Sequence, residues 1–180
     1  MKLNELDYKK LVPIAAIIFI GFLALLFYFF AEAYSKSPEN INNTLGTYIN
    51  PEFKVTFNYP GGWDQIGGYE YDRYEGESGF FGVTGVGGEV SLDEATRSAY
   101  DKPLVPYGKH PTLENLKVDG QPAKLIIPSE DQDVSLGKQA ELIVLYPVPV
   151  VVNGETYQYF ILWGDKDNIR GIIPTIIFRD

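Results

Sequence analysis

Cysteine is absent from the chain, and histidine occurs once, as His110. The missing cysteine excludes disulfides and a lipid-modified cysteine anchor. With a single histidine besides, no ligand set remains for a dedicated zinc site. Basic residues are also few, 15 against 24 acidic ones, for a net charge of −9. Residues 1–33 hold three charges of each sign, so the whole negative balance falls on the remainder. That balance disfavours nucleic acid and electrostatic attachment to anionic lipid. Signatures of common chemistry are lacking too. Gly85-Val86-Gly87-Gly88 has no Lys and Ser/Thr to make a phosphate loop. Gly76-Glu77-Ser78-Gly79-Phe80 misses a nucleophile elbow by one position. The carboxylates Glu130, Asp131 and Asp133 do not follow calcium-loop spacing. There is no internal repeat and no low-complexity tract.

What is present begins with an uncharged apolar run, Leu11 to Phe30. Twenty helical residues span about 30 Å, the hydrocarbon thickness of a bilayer. Phe27, Tyr28, Phe29, Phe30 and Tyr34 crowd its far end as an interfacial aromatic belt does. Lys2, Lys9 and Lys10 precede the run and only Lys36 follows closely, which places the N-terminus in the cytoplasm. Ala31-Glu32-Ala33 also fits a signal cleavage site, but the run exceeds the usual signal length of about 7–15 residues, favouring an uncleaved signal-anchor. The expected organisation is a cytoplasmic tail at 1–10, a transmembrane helix at 11–33, a polar linker at 34–50 and an extracytoplasmic domain at 51–180. The expected location is the cell membrane, single-pass.

In the exterior domain, Phe53, Val55, Phe57 and Tyr59 alternate with Lys54, Thr56 and Asn58, the pattern of a half-buried strand. Tyr69–Tyr74 and Phe80–Val86 read as the next strands. Gly82, Gly85, Gly87 and Gly88 point to a bulge or to another element approaching closely. Ser91-Leu92-Asp93-Glu94 is a capping box opening a helix to about Tyr100. Residues 101–111, rich in Pro, form a long loop. Asp119-Gly120 and Asn153-Gly154 mark hairpins. The segments 139–146 and 156–163 are apolar on both faces, as central strands are. Asp165 or Asp167 then caps a last helix with Ile169, Ile172, Ile173 and Ile176 inward, which Pro174 should end early. Strands, helix, strands, helix predict an α+β fold: one antiparallel twisted sheet with helices packed on it.

The stretch Phe53-Lys54-Val55-Thr56-Phe57-Asn58-Tyr59-Pro60-Gly61-Gly62-Trp63 resembles the opening of PsbP-like domains, an alternating strand followed by a Tyr-Pro-x-x-Trp turn. The sheet-rich middle and the closing strand-then-helix, 157–176, are similar as well, so the resemblance covers roughly residues 48–178. Tyr107-Gly108 after a capped helix also resembles exported bacterial domains of unassigned role. The resemblance implies a sandwich outside the membrane that serves as an assembly or accessory factor. It supplies no catalytic residue to carry over.

The candidate binding surface is acidic and aromatic: Tyr69, Glu70, Tyr71, Asp72 and Tyr74, with Phe81 beside them. The expected function is a non-catalytic binding or accessory domain acting on an envelope protein partner, with no cofactor and no metal. A sensor domain for a small ligand is the alternative. A hydrolase is a further one, and it would need His110 with Ser78, Ser129 or Ser135 as nucleophile.

Overall fold

The computed structural model describes residues 44–88 and 90–179. The expected cytoplasmic tail, the expected transmembrane segment 11–33 and most of the expected linker lie outside the described residues. Among the described residues no helix is long and apolar enough to cross a membrane.

The domain is mostly β, with 50% strand and 14% helix, which corrects the expected α+β arrangement of helices packed on one sheet. A three-stranded sheet is formed by β1 (Leu45–Asn50), β2 (Val55–Pro60) and β10 (Ile177–Phe178), with β2 in the middle. The larger sheet has seven strands: β3 (Asp64–Gln65), β4 (Asp72–Gly76), β5 (Gly79–Val86), β6 (Thr112–Val118), β7 (Gln121–Ile127), β8 (Gln139–Val152) and β9 (Glu155–Asp165). Their spatial order is β3-β4-β5-β9-β8-β7-β6. Every pairing in both sheets is antiparallel. Two short α-helices complete the domain, α1 (Leu92–Tyr100) and α2 (Ile169–Ile172).

Two local events explain the correction. Residues 45–50, assigned to the linker, pair with β2 instead; Tyr48 turns inward and stacks on Phe57 at 4.8 Å. At the other end, α2 stops after four residues and becomes a 3-10 turn, Ile173–Thr175, containing Pro174. Proline has no N–H to continue the helical ladder, and the chain exits as β10 onto β2. The stripe Ile169, Ile172 and Ile176 is nevertheless buried as expected. Asp165 organises this entry: its side chain accepts the N–H groups of Asn168 and Asp167. Both expected hairpin turns form, with Asp119-Gly120 and Asn153-Gly154 at positive φ.

The seven-stranded sheet is covered on both faces. The layer between the sheets holds Phe57, Phe81, Leu125, Leu142, Phe160 and Leu162, together with the α2 isoleucines. Each such side chain contributes about 1.5–3 kcal/mol by leaving water. Trp63 closes this layer at 4% exposure, and its indole N–H donates to Ser78 Oγ at 2.8 Å. The opposite face carries a smaller cluster: Ile126, Ile143, Tyr159 and Ile161 under Ala95 of α1 and Tyr107 of the following loop. The capping box holds α1 in place, with Glu94 N–H donating to Ser91 Oγ and Ser91 N–H to Glu94 Oε2. The β5 glycines mark close approach: a Cβ at Gly85 would meet the Tyr157 ring at 2.4 Å.

Candidate functional site

Alternation along β8 sends Leu142 and Val144 between the sheets, and Glu141 and Ile143 to the α1 side. Glu141 is therefore a carboxyl in a central strand, paired directly across from Trp163 of β9 and 6% exposed. Over it lies a cleft of about 510 Å³. Ile143, Ile161, Trp163 and Glu141 form its floor, Ala95, Ser98 and Ala99 of α1 one wall, and Lys102, Leu104 and Pro106 another. Thr84 and Val86 of β5, with Val90, complete it.

The polar groups converge at one end. The Tyr107 hydroxyl donates to Glu141 Oε2, and Trp163 lies directly across from Glu141 on β9. Burial pushes the Glu141 carboxyl above the usual carboxylate range; Tyr107, Trp163 and the charge of Lys102 oppose the shift without cancelling it. Burial also raises the Tyr107 hydroxyl, and the neighbouring Glu141 charge raises it further, so the phenol stays protonated and acts as a donor.

The loop after α1 is pinned at one end and open at the other. Gln132 Nε2 donates to the Pro106 carbonyl at 2.8 Å and to the Gln139 carbonyl at 2.9 Å, tying loop to sheet. Ser129 N–H donates to the Tyr107 carbonyl at 2.9 Å. Leu104, by contrast, is 88% exposed. Val105 holds φ at 41°, a region that β-branched residues rarely occupy.

The expected surface divides. Tyr69, Glu70, Tyr71 and Asp72 line one shallow groove of about 270 Å³ with Phe53 and Tyr157. Tyr69 is 48% exposed, and its ring lies 5.2 Å from Tyr71 and under the Arg73 guanidinium. Asp72 is occupied structurally, accepting from the Tyr48 hydroxyl at 2.5 Å and from Asn50 Nδ2 at 2.8 Å. Phe81 and Tyr74 do not belong to this surface. Phe81 is fully buried between the sheets, and Tyr74 stacks on it at 4.7 Å. Both point inward because residues 74 and 81 are cross-strand partners on the core side of β4 and β5.

The three candidate nucleophiles have other partners. Ser78 Oγ accepts from Trp63, Ser129 Oγ donates to Asp131 at 2.5 Å, and Ser135 Oγ donates to Asp133 at 2.7 Å. His110 is exposed and contributes its backbone N–H to Ser129 Oγ at 3.3 Å. Among the described residues no hydrogen bond joins its imidazole to these hydroxyls.

Sequence reasoning missed the cleft because Glu141 was read as part of an apolar strand. The available signal was a lone carboxylate inside Ala140-Glu141-Leu142-Ile143, a charge where both faces were expected to be covered. No family model matches the chain and no curated protein matches it, so the site is argued from its geometry.

Proposed function

We propose that the exterior domain is a non-catalytic binding module whose ligand is a small molecule seated in the cleft beneath α1. The observation that carries this reading is the cleft itself: about 510 Å³, apolar walls, and polar groups gathered at Glu141, Tyr107 and Trp163. Sites for small molecules have this size and this division between apolar cover and a few orienting polar groups. The reading favours a ligand sensor over an accessory factor. The apolar run at 11–30 supports a membrane tether, and the lysine asymmetry supports display outside the cell.

The test is mass spectrometry of small molecules carried by the detergent-extracted full chain, set beside an Ala99→Trp variant that fills the cleft. The expected result is a bound molecule that the variant lacks while its melting transition persists. A molecule retained equally by the folded variant would remove the cleft from the proposal. Protease added outside intact cells or spheroplasts should digest the region after Tyr34; protection until lysis would overturn the orientation. Hydrolytic turnover abolished by His110→Ala would overturn the non-catalytic reading.

One observation favours a second reading, docking of an envelope protein at the polar groove: Tyr69 and Glu70 are exposed on its rim. A partner captured by the full chain and lost on Tyr69→Ala would support it.

A further inference from the structure

The floor of the cleft combines hydrogen-bond satisfaction with a missing charge. Among the described residues every buried side-chain polar atom has a hydrogen-bond partner, so Glu141 is not an orphan in that sense. Its hydrogen-bond donor, Tyr107, is neutral, and so is Trp163 across the strand pair. Among the described residues no Lys or Arg forms an ion pair with it; the ion pairs that do form join other residues at the surface. Lys102 lines the same cleft and acts on Glu141 only through its field. A carboxylate taken from water without a countercharge is disfavoured unless enough hydrogen bonds compensate it, and here the protein supplies one hydroxyl donor.

Each class of ligand meets this floor differently. An anion brought against Glu141 is repelled. A neutral molecule gains the apolar walls and nothing from the charge. A cation gains the walls, supplies the countercharge and meets the rings of Trp163 and Tyr107, whose π-faces attract ammonium groups. The net charge of −9 outside the membrane segment raises the local concentration of cations as well.

We propose that the cleft takes a cationic amine with an apolar body, its nitrogen set against Glu141 beside Trp163 and Tyr107 and its body against Ala99, Ile143 and Ile161. This rests on the cleft being a ligand site, and adds the charge and polarity of what enters. It also gives Lys102 a part: as the one protein cation lining the cleft near Glu141 among the described residues, it competes with the ligand's nitrogen and weakens binding.

The experiment uses the detergent-extracted full chain and three probes of one shape: 2-phenylethylamine, 2-phenylethanol and phenylacetate. Titration calorimetry at pH 7.5 reads their affinities. The amine should bind at least tenfold more tightly than the alcohol, and the acid should show no binding. Glu141→Gln, checked for an intact melting transition, should reduce amine affinity at least tenfold and leave the alcohol unchanged. Lys102→Met should strengthen the amine alone. The probe series on the unaltered chain and the Lys102 variant decide the matter even if Glu141→Gln fails to fold. If alcohol and amine bind equally and Ala99→Trp abolishes both, the amine assignment is wrong and the cleft remains a ligand site. If no probe binds the unaltered chain differently from Ala99→Trp, the amine assignment is overturned, and with molecules retained by folded Ala99→Trp the ligand-site reading falls too.

Discussion

One face of the seven-stranded sheet is closed by three further strands and the α2 segment, the other by nine helical residues and a loop. The first closure leaves a continuous aromatic and aliphatic layer in which Phe81 meets Phe57, Tyr59, Trp63 and Tyr74 at ring distances of 4.7–6.1 Å. The second is too short to cover its face, and what it fails to cover becomes a cleft with a carboxyl at its base. The same strands, β8 and β9, supply both faces through simple alternation. The buried layer and the floor of the cleft are therefore divided between even and odd positions of the same two strands.

The sharpest way to break this comparison is to cut into the closed layer. Trp63→Ala removes a packed indole and its bond to Ser78, and should cost about 3–5 kcal/mol in denaturant melts of the 43–180 unit. A loss below about 1 kcal/mol would mean that the layer between the sheets is not the stabilising one. On the cleft side, Tyr107→Phe removes one donor from Glu141 and should cost less, about 1–3 kcal/mol, by the same melts. An equal or larger loss than at Trp63 would reverse the ranking of the two faces.

Acidity separates the faces by sign. The Glu141 carboxyl is raised above its unfolded value by burial. Its contribution to stability is complete below the unfolded value and is lost as pH rises through the folded one. Glu141→Gln should therefore melt close to the parent at pH 4 and higher than the parent at pH 8, by on the order of a few °C. A variant less stable at pH 8 than the parent would show that the ionised carboxylate is held favourably in the fold. The smallest effect belongs to the exposed groove: Tyr69→Ala should change stability by less than about 0.5 kcal/mol. A larger loss would make Tyr69 part of the packing, and the groove no longer a free surface.

Elements whose signals are local were legible in the sequence. The Ser91–Glu94 capping box, the turns at 119–120 and 153–154, the alternation from Val55 to Tyr59 and the central placement of β8 and β9 all depend on near neighbours or on burial pattern. The three-stranded sheet was not legible: β1 carries no strand alternation and β10 lies far from β2 in sequence. Residues 45–50 follow the polar, Asn-rich stretch 39–44 and mix Gly, Thr and Asn with Leu, Tyr and Ile, and residues 177–178 are too few to carry a period; only β2, between them, announces a strand. The site fared worse for a related reason. Tyr69 and Tyr71 were read correctly as neighbours, but Tyr74 and Phe81 share the apolar, aromatic look of surface binders while facing inward. Glu141 and Tyr107 lie in different elements 34 positions apart, and nothing in either segment names the other.

The last strand carries a consequence for synthesis. Thr175, at the threshold of β10, bonds both ways with Asn58 of β2 across 117 positions of chain, and Arg179 N–H reaches the Lys54 carbonyl. A ribosome makes β2 long before its partner β10. Until then Val55 and Thr56 have one neighbouring strand rather than two, and closure over so long an intervening chain is slow. The nascent chain thus carries an unpaired strand edge at Val55 and Thr56 until β10 is made, a state in which an unfinished copy can recruit another.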